Sequence, residues 1–111
     1  MVTEAELDHA DRRLRTFQHC ALHRRTIRVT CTSCGRERRF DAVALWWMYE
    51  RKGWDDDLPR AYRRLFCATC RERDGRVVRP RAGITRDRPD EDQPPYPDQA
   101  TWKRLVSRYR S

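Results

Sequence analysis

Apolar residues recur at spacings of three and four along Leu7, Ala10, Leu14, Phe17 and Ala21, which lines one stripe of an α-helix. Thr3-Glu4-Ala5-Glu6 precedes them and reads as a capping box. Together they predict an amphipathic N-terminal helix over residues 1–23, with Asp8, Asp11, Arg12, Arg13 and Arg15 on its outer surface. The stripe would pack on the rest of the chain or form a thin dimer seam. From Thr26 the period shortens to two, so Thr26 to Cys31 reads as a strand with Ile27 and Val29 inward. Gly35 permits the positive φ of a tight turn, and Arg36 to Phe40 then runs back as a second strand.

Asp41 is placed to cap a helix from Ala42 to Lys52 that Gly53 stops. Val43, Leu45, Trp46, Trp47, Met48 and Tyr49 make this helix apolar nearly all round, so two of its faces must be covered. Asp57 then opens a short helix at Leu58-Pro59, with Leu58, Tyr62, Leu65 and Phe66 on its apolar side. Between residues 80 and 98 the pattern lapses: five prolines and several acids predict an extended or disordered linker, its Pro94-Pro95-Tyr96-Pro97 a stiff spacer. Asp98 caps a last helix over residues 99–111, where Trp102, Leu105, Val106 and Tyr109 share one face. A helix this short needs a surface to lie on, either the chain's own body or a partner.

Candidate chemistry concentrates in residues 24–79. Cys31-Thr-Ser-Cys34 and Cys67-Ala-Thr-Cys70 are two Cys-x-x-Cys pairs separated by 32 residues. A two-residue spacer lets both sulfurs of a pair reach one ion, and two pairs complete a tetrahedral Zn²⁺ shell. A shell closed by four thiolates has no open position, so one structural zinc is the expected cofactor. With 38% hydrophobic residues in 111, a metal staple is a plausible supplement to a small core. The odd count of five cysteines argues against a disulfide framework. The acidic N-terminus lacks a signal-peptide core and no stretch is long and apolar enough to span a membrane, so a cytoplasmic location is expected.

The second cysteine pair admits two readings. Either it opens a helix that ends at Gly75, or it is a second knuckle leading into a strand at Arg76 to Arg79. His19 and His23 stand four apart on one helical face and invite a second metal, but the only nearby thiolate, Cys20, points elsewhere. They read as helix C-terminal residues, where an imidazolium suits the dipole. The run Asp55-Asp56-Asp57 reads as helix-capping acids rather than a Mg²⁺ site.

Residues 26–79, with Cys31, Cys34 and Gly35 forming a knuckle between strands, resemble the four-cysteine zinc-ribbon and treble-clef class found in many small bacterial proteins. The resemblance implies a small zinc-stabilised α+β module, flanked here by amphipathic helices. Members of that class bind DNA, RNA, polymerase subunits or other proteins, and the motif does not choose among them. The 32-residue gap exceeds the ~15–20 of simple ribbons.

Charge narrows the choice. Twenty-five bases, 23 of them Arg, against 17 acids give +8, which favours polyanionic partners. Residues 24–39 hold six bases against one acid, and residues 60–81 eight against two. The expected function is a non-catalytic accessory or regulatory protein that binds DNA or RNA through Arg24, Arg25, Arg28, Arg36, Arg38, Arg39, Arg60, Arg63 and Arg64. The competing expectation is an adaptor that docks on a partner protein, such as one with an acidic surface, through its terminal amphipathic helices, with Trp102, Leu105, Val106 and Tyr109 as the partner-binding residues. Neither reading calls for a small-molecule substrate or a membrane, and both fit a monomer or weak dimer.

Overall fold

A computed structural model describes residues 3–110. Residues 1, 2 and 111, at the ends of the two predicted terminal helices, lie outside the described residues. The fold is a small α+β arrangement: strands β1 (Thr26–Thr30), β2 (Glu37–Asp41) and β3 (Arg81–Thr85), with helices α1 (Phe17–Leu22), α2 (Ala42–Lys52), α3 (Leu58–Tyr62), α4 (Ala68–Asp74) and α5 (Gln99–Arg110). The sheet is antiparallel in the order β2-β1-β3.

The hairpin forms as its sequence dictates, with Gly35 in the turn at φ 75° and Ile27 opposite Phe40. Asp41 accepts from the Val43 amide to cap α2, and Gly53 ends it in the left-handed region. One side of α2 meets α1, where the Phe17 ring stands edge-on to Tyr49 at 4.9 Å. The Tyr49 hydroxyl donates to the Ala61 carbonyl at 2.8 Å, tying α2 to α3 inside the core. Ile27, Val29, Leu45 and Trp46 complete this core, together with Leu105 from α5.

Two predicted segments differ. The N-terminal stripe is not one helix: a 3-10 turn (Glu4–Glu6) comes first, and α-helix begins only at Phe17. Asp8 Oδ1 accepts from the amides of Ala10 and Arg12, and Asp11 sits at φ 59°. Thr16 then caps the helix by accepting from the His19 amide. Short polar side chains compete with helical hydrogen bonds in this way, so Leu14, Phe17 and Ala21 reach the core while Ala10 stays exposed.

The stretch from 80 to 98 is ordered and holds both edges of the sheet. Residues 81–85 form β3 against β1, with Ile84 opposite Ile27. Residues 90–93 then lie along the outer edge of β2: Asp90 exchanges bonds with the Arg39 backbone, and Gln93 accepts from the Asp41 amide and donates to the Arg39 carbonyl. Tyr96 adds a bond from its hydroxyl to the Asp41 carboxylate at 3.1 Å. An open strand edge invites pairing with another chain, and on β2 the Asp90 backbone amide together with the Asp90 and Gln93 side chains closes it.

Candidate metal centre

The hairpin turn delivers Cys31 and Cys34, and the start of α4 delivers Cys67 and Cys70. Of the two readings of the second pair, the helical one holds: Cys67 caps α4, accepting the Cys70 amide, and Gly75 ends it. The Cys31 and Cys70 sulfurs are 3.7 Å apart, as are those of Cys34 and Cys67. All four sulfurs lie within 4.8 Å of one another. Four sulfurs at about 2.3 Å from one ion would be separated by about 3.8 Å at tetrahedral angles, so this cluster can hold a metal ion such as zinc with little rearrangement.

Backbone amides prepare the cluster for negative charge. The Ser33 and Cys34 amides donate to Cys31 Sγ at 3.3 and 3.4 Å, and the Cys70 amide donates to Cys67 Sγ at 3.4 Å. The Cys34 amide, with that of Ser33, draws the Cys31 thiol below its usual range. Burial, with the neighbouring thiols, pushes Cys70 above it. A metal would relieve the second by taking a deprotonated sulfur directly. Three of the four cysteines are buried and Cys34 is partly exposed. Val78 closes the apolar side, and Arg76 reaches across to the Ser33 hydroxyl at 3.2 Å. The fifth cysteine, Cys20, belongs to the main core and takes no part in this site.

The candidate arginines divide among several elements. Arg28 and Arg39 stand directly opposite one another across β1 and β2, on the face of the sheet turned away from Ile27 and Val29. Arg81 enters the same face on β3, where Gly83 opposite Arg28 leaves a hollow of about 450 Å³ lined by Arg28, Arg81, Thr30 and Glu37. Arg81 reaches this face only because residues 81–85 form a strand, which the surrounding prolines conceal in the sequence. Asp87 pairs with Arg28 at 3.5 Å, while Glu37 and Asp90 each approach Arg39 at 3.6 Å.

The other basic candidates do not join this face. Arg25 is turned inward, its guanidinium donating to the carbonyls of Ala5, His23 and Leu7. Arg38 lies over the Phe40 ring and donates to the Asp92 carbonyl. Arg24 covers Trp102 and Arg64 covers Trp54. Arg60 is paired with Asp55 at 2.8 Å. Arg36 is exposed at the knuckle and Arg63 just beyond α3.

On α5, Leu105 is buried in the chain's own core and Trp102 packs against it, while Val106 is half-buried and Tyr109 exposed. Among the described residues no helix is long and apolar enough to cross a membrane. No protein-family model matches the chain, no curated protein is significantly similar to it, and no solved structure matches its fold.

Proposed function

We propose that this protein is a non-catalytic accessory or regulatory factor, stapled by one structural zinc, that binds nucleic acid through the sheet face bearing Arg28, Arg39 and Arg81. The observation that carries the reading is the pairing of Arg28 with Arg39. Like charges placed directly opposite in a sheet are destabilising, and Arg39 beside a hollow lined by Arg28 and Arg81 fits an anionic ligand that repeats along its length. The carboxylates of Asp87, Glu37 and Asp90 offset the repulsion in the free protein. All three ion pairs are solvent-exposed, so they contribute little and can be exchanged for phosphate. The excess of 25 bases over 17 acids supports the same partner.

Zinc is the metal that four thiolates with these separations suit best, and a closed shell gives it a structural role. The combination of a cysteine-bearing hairpin turn with a helix that carries the second pair is treble-clef-like. The adaptor reading has less support, because Leu105 and Trp102 are spent on the chain's own core.

The test is binding of the zinc-loaded protein to short single- and double-stranded DNA and RNA across a salt series. Replacing Arg28 and Arg39 together by Gln should weaken binding and lower the log–log salt slope by about 2, one for each phosphate contact removed. Thermal unfolding should show the fold intact, since a like-charge pair has been removed. Absence of binding at low salt, or binding that the double substitution leaves unchanged, would overturn the reading.

A further inference from the structure

We infer that Asp8, His19 and His23 form a second metal site, one that takes a divalent first-row transition ion and keeps a coordination position open. One ligand atom from each of the three lies within 4.8 Å of the others. The site is assembled from two elements. His19 and His23 stand one turn apart at the end of α1, their ring centroids 5.2 Å apart. Asp8 arrives from the N-terminal turn, its side chain almost wholly buried, with Oδ1 held by the Ala10 and Arg12 amides. That leaves Oδ2 facing His19 Nε2 at 3.8 Å.

Two further observations point to a ligand. His23 Nε2 is buried and has no hydrogen-bond partner, whereas buried polar atoms are ordinarily satisfied. The ligand frame is also braced from behind. Arg25 donates simultaneously to the carbonyls of Ala5 and Leu7 in the N-terminal turn and of His23 at the helix end, clamping together the two segments that supply the ligands. Positioning of this kind orients metal-binding side chains.

Two imidazoles and one carboxylate select zinc, iron, cobalt or nickel over magnesium or calcium, which prefer all-oxygen shells. Bringing the three atoms to the roughly 3.4 Å separation of a tetrahedral nitrogen and oxygen shell takes small side-chain rotations. The rings of His9 and Tyr109 flank the histidines at 5.6 to 6.5 Å. The guanidinium of Arg12 opposes a cation here, lying 3.8 Å from Asp8 Oδ2, but it is largely exposed and free to swing away. Three protein ligands leave a fourth position for water or a small anion, unlike the shell that four cysteines would close.

The test starts from full-length protein carrying one equivalent of zinc on its cysteines. Further Zn²⁺ is titrated calorimetrically while the histidine ring resonances are followed by NMR. The expected result is one additional equivalent, with His19 and His23 resonances shifting on binding. Asp8→Asn and His23→Ala should each weaken that equivalent at least tenfold, the lower bound seen when only supporting groups are removed. His9→Ala should leave it in place. Should Asp8→Asn disturb the turn it holds, His23→Ala and the wild-type resonances decide alone. No second equivalent with unmoved His19 and His23 signals would overturn the proposal. So would binding that survives His23→Ala but is lost with His9→Ala.

Discussion

Stripping the metal from the four cysteines should melt α4 and the hairpin turn while leaving the main core folded. The two are separate: α1, α2 and α5 share one hydrophobic cluster, and the cysteines with Val78 form another. Helix α4 has seven residues, of which only Cys70 is buried. Nucleating a helix carries a factor of about 10⁻³, equivalent to about 4 kcal/mol. Burial of one thiol side chain with part of Val78 returns only about 2 kcal/mol. The metal-free helix is then disfavoured by roughly 2 kcal/mol, or about thirtyfold. A structural zinc contributes about 10–16 kcal/mol in small zinc-binding peptides, far more than this deficit. Amide hydrogen exchange on reduced protein, zinc-loaded and after chelation, measures the effect segment by segment. Amides of residues 68–74 should lose their protection while those of 42–52 keep theirs. Equal protection of α4 in both states, or loss of α2 protection in step with α4, would refute the separation of the two clusters.

Tyr49→Phe removes the hydroxyl that donates to the Ala61 carbonyl at 2.8 Å and should cost about 1–2 kcal/mol, read as a Tm lower by several degrees. An unchanged Tm would show that water replaces the hydroxyl there. Cys20 is fully buried and its thiol is pushed up from 9.0 to about 12, chiefly by burial. Mass spectrometry of chelated native protein treated with an alkylating agent at neutral pH should therefore show four adducts, Cys20 being the thiol left unmodified. Because its folded pKa is raised, Cys20 contributes stability that is present below pH 9 and lost as pH rises toward about 12. Cys20→Ala should accordingly flatten the fall in Tm over that range.

The features legible in the sequence are those whose cause is local. Asp41 and Gly53 bound α2 through a side-chain cap and a left-handed residue, and both are visible as residue types at the ends of an apolar run. The cysteine pairs are legible for the same reason, since a two-residue spacer fixes the bite of each pair. Periodicity misleads at the N-terminus, where Asp8 and Thr16 capture backbone amides that a continuous helix would need. Strand β3 is hidden because its evidence is non-local: it exists by pairing with β1, more than fifty residues earlier in the chain. The grouping of Asp8 with His19 and His23 is hidden too. Spacing along a helix cannot register a ligand that arrives from a preceding turn, held there by Arg25.

The placement of residues 81–93 on both edges of the sheet bears on how the chain matures during its own synthesis. A β-hairpin forms within about 1–10 μs, so β1 and β2 can pair as soon as both have left the ribosome. Their remaining neighbours, β3 and the 90–93 segment, lie some fifty residues downstream. At ~5–20 residues per second that delay is about 3–10 s. Translation, rather than folding, sets the moment at which the sheet closes. A nascent chain therefore carries an unshielded hairpin for seconds, and a chain that stopped before residue 80 would keep both hairpin edges open to pairing with other chains.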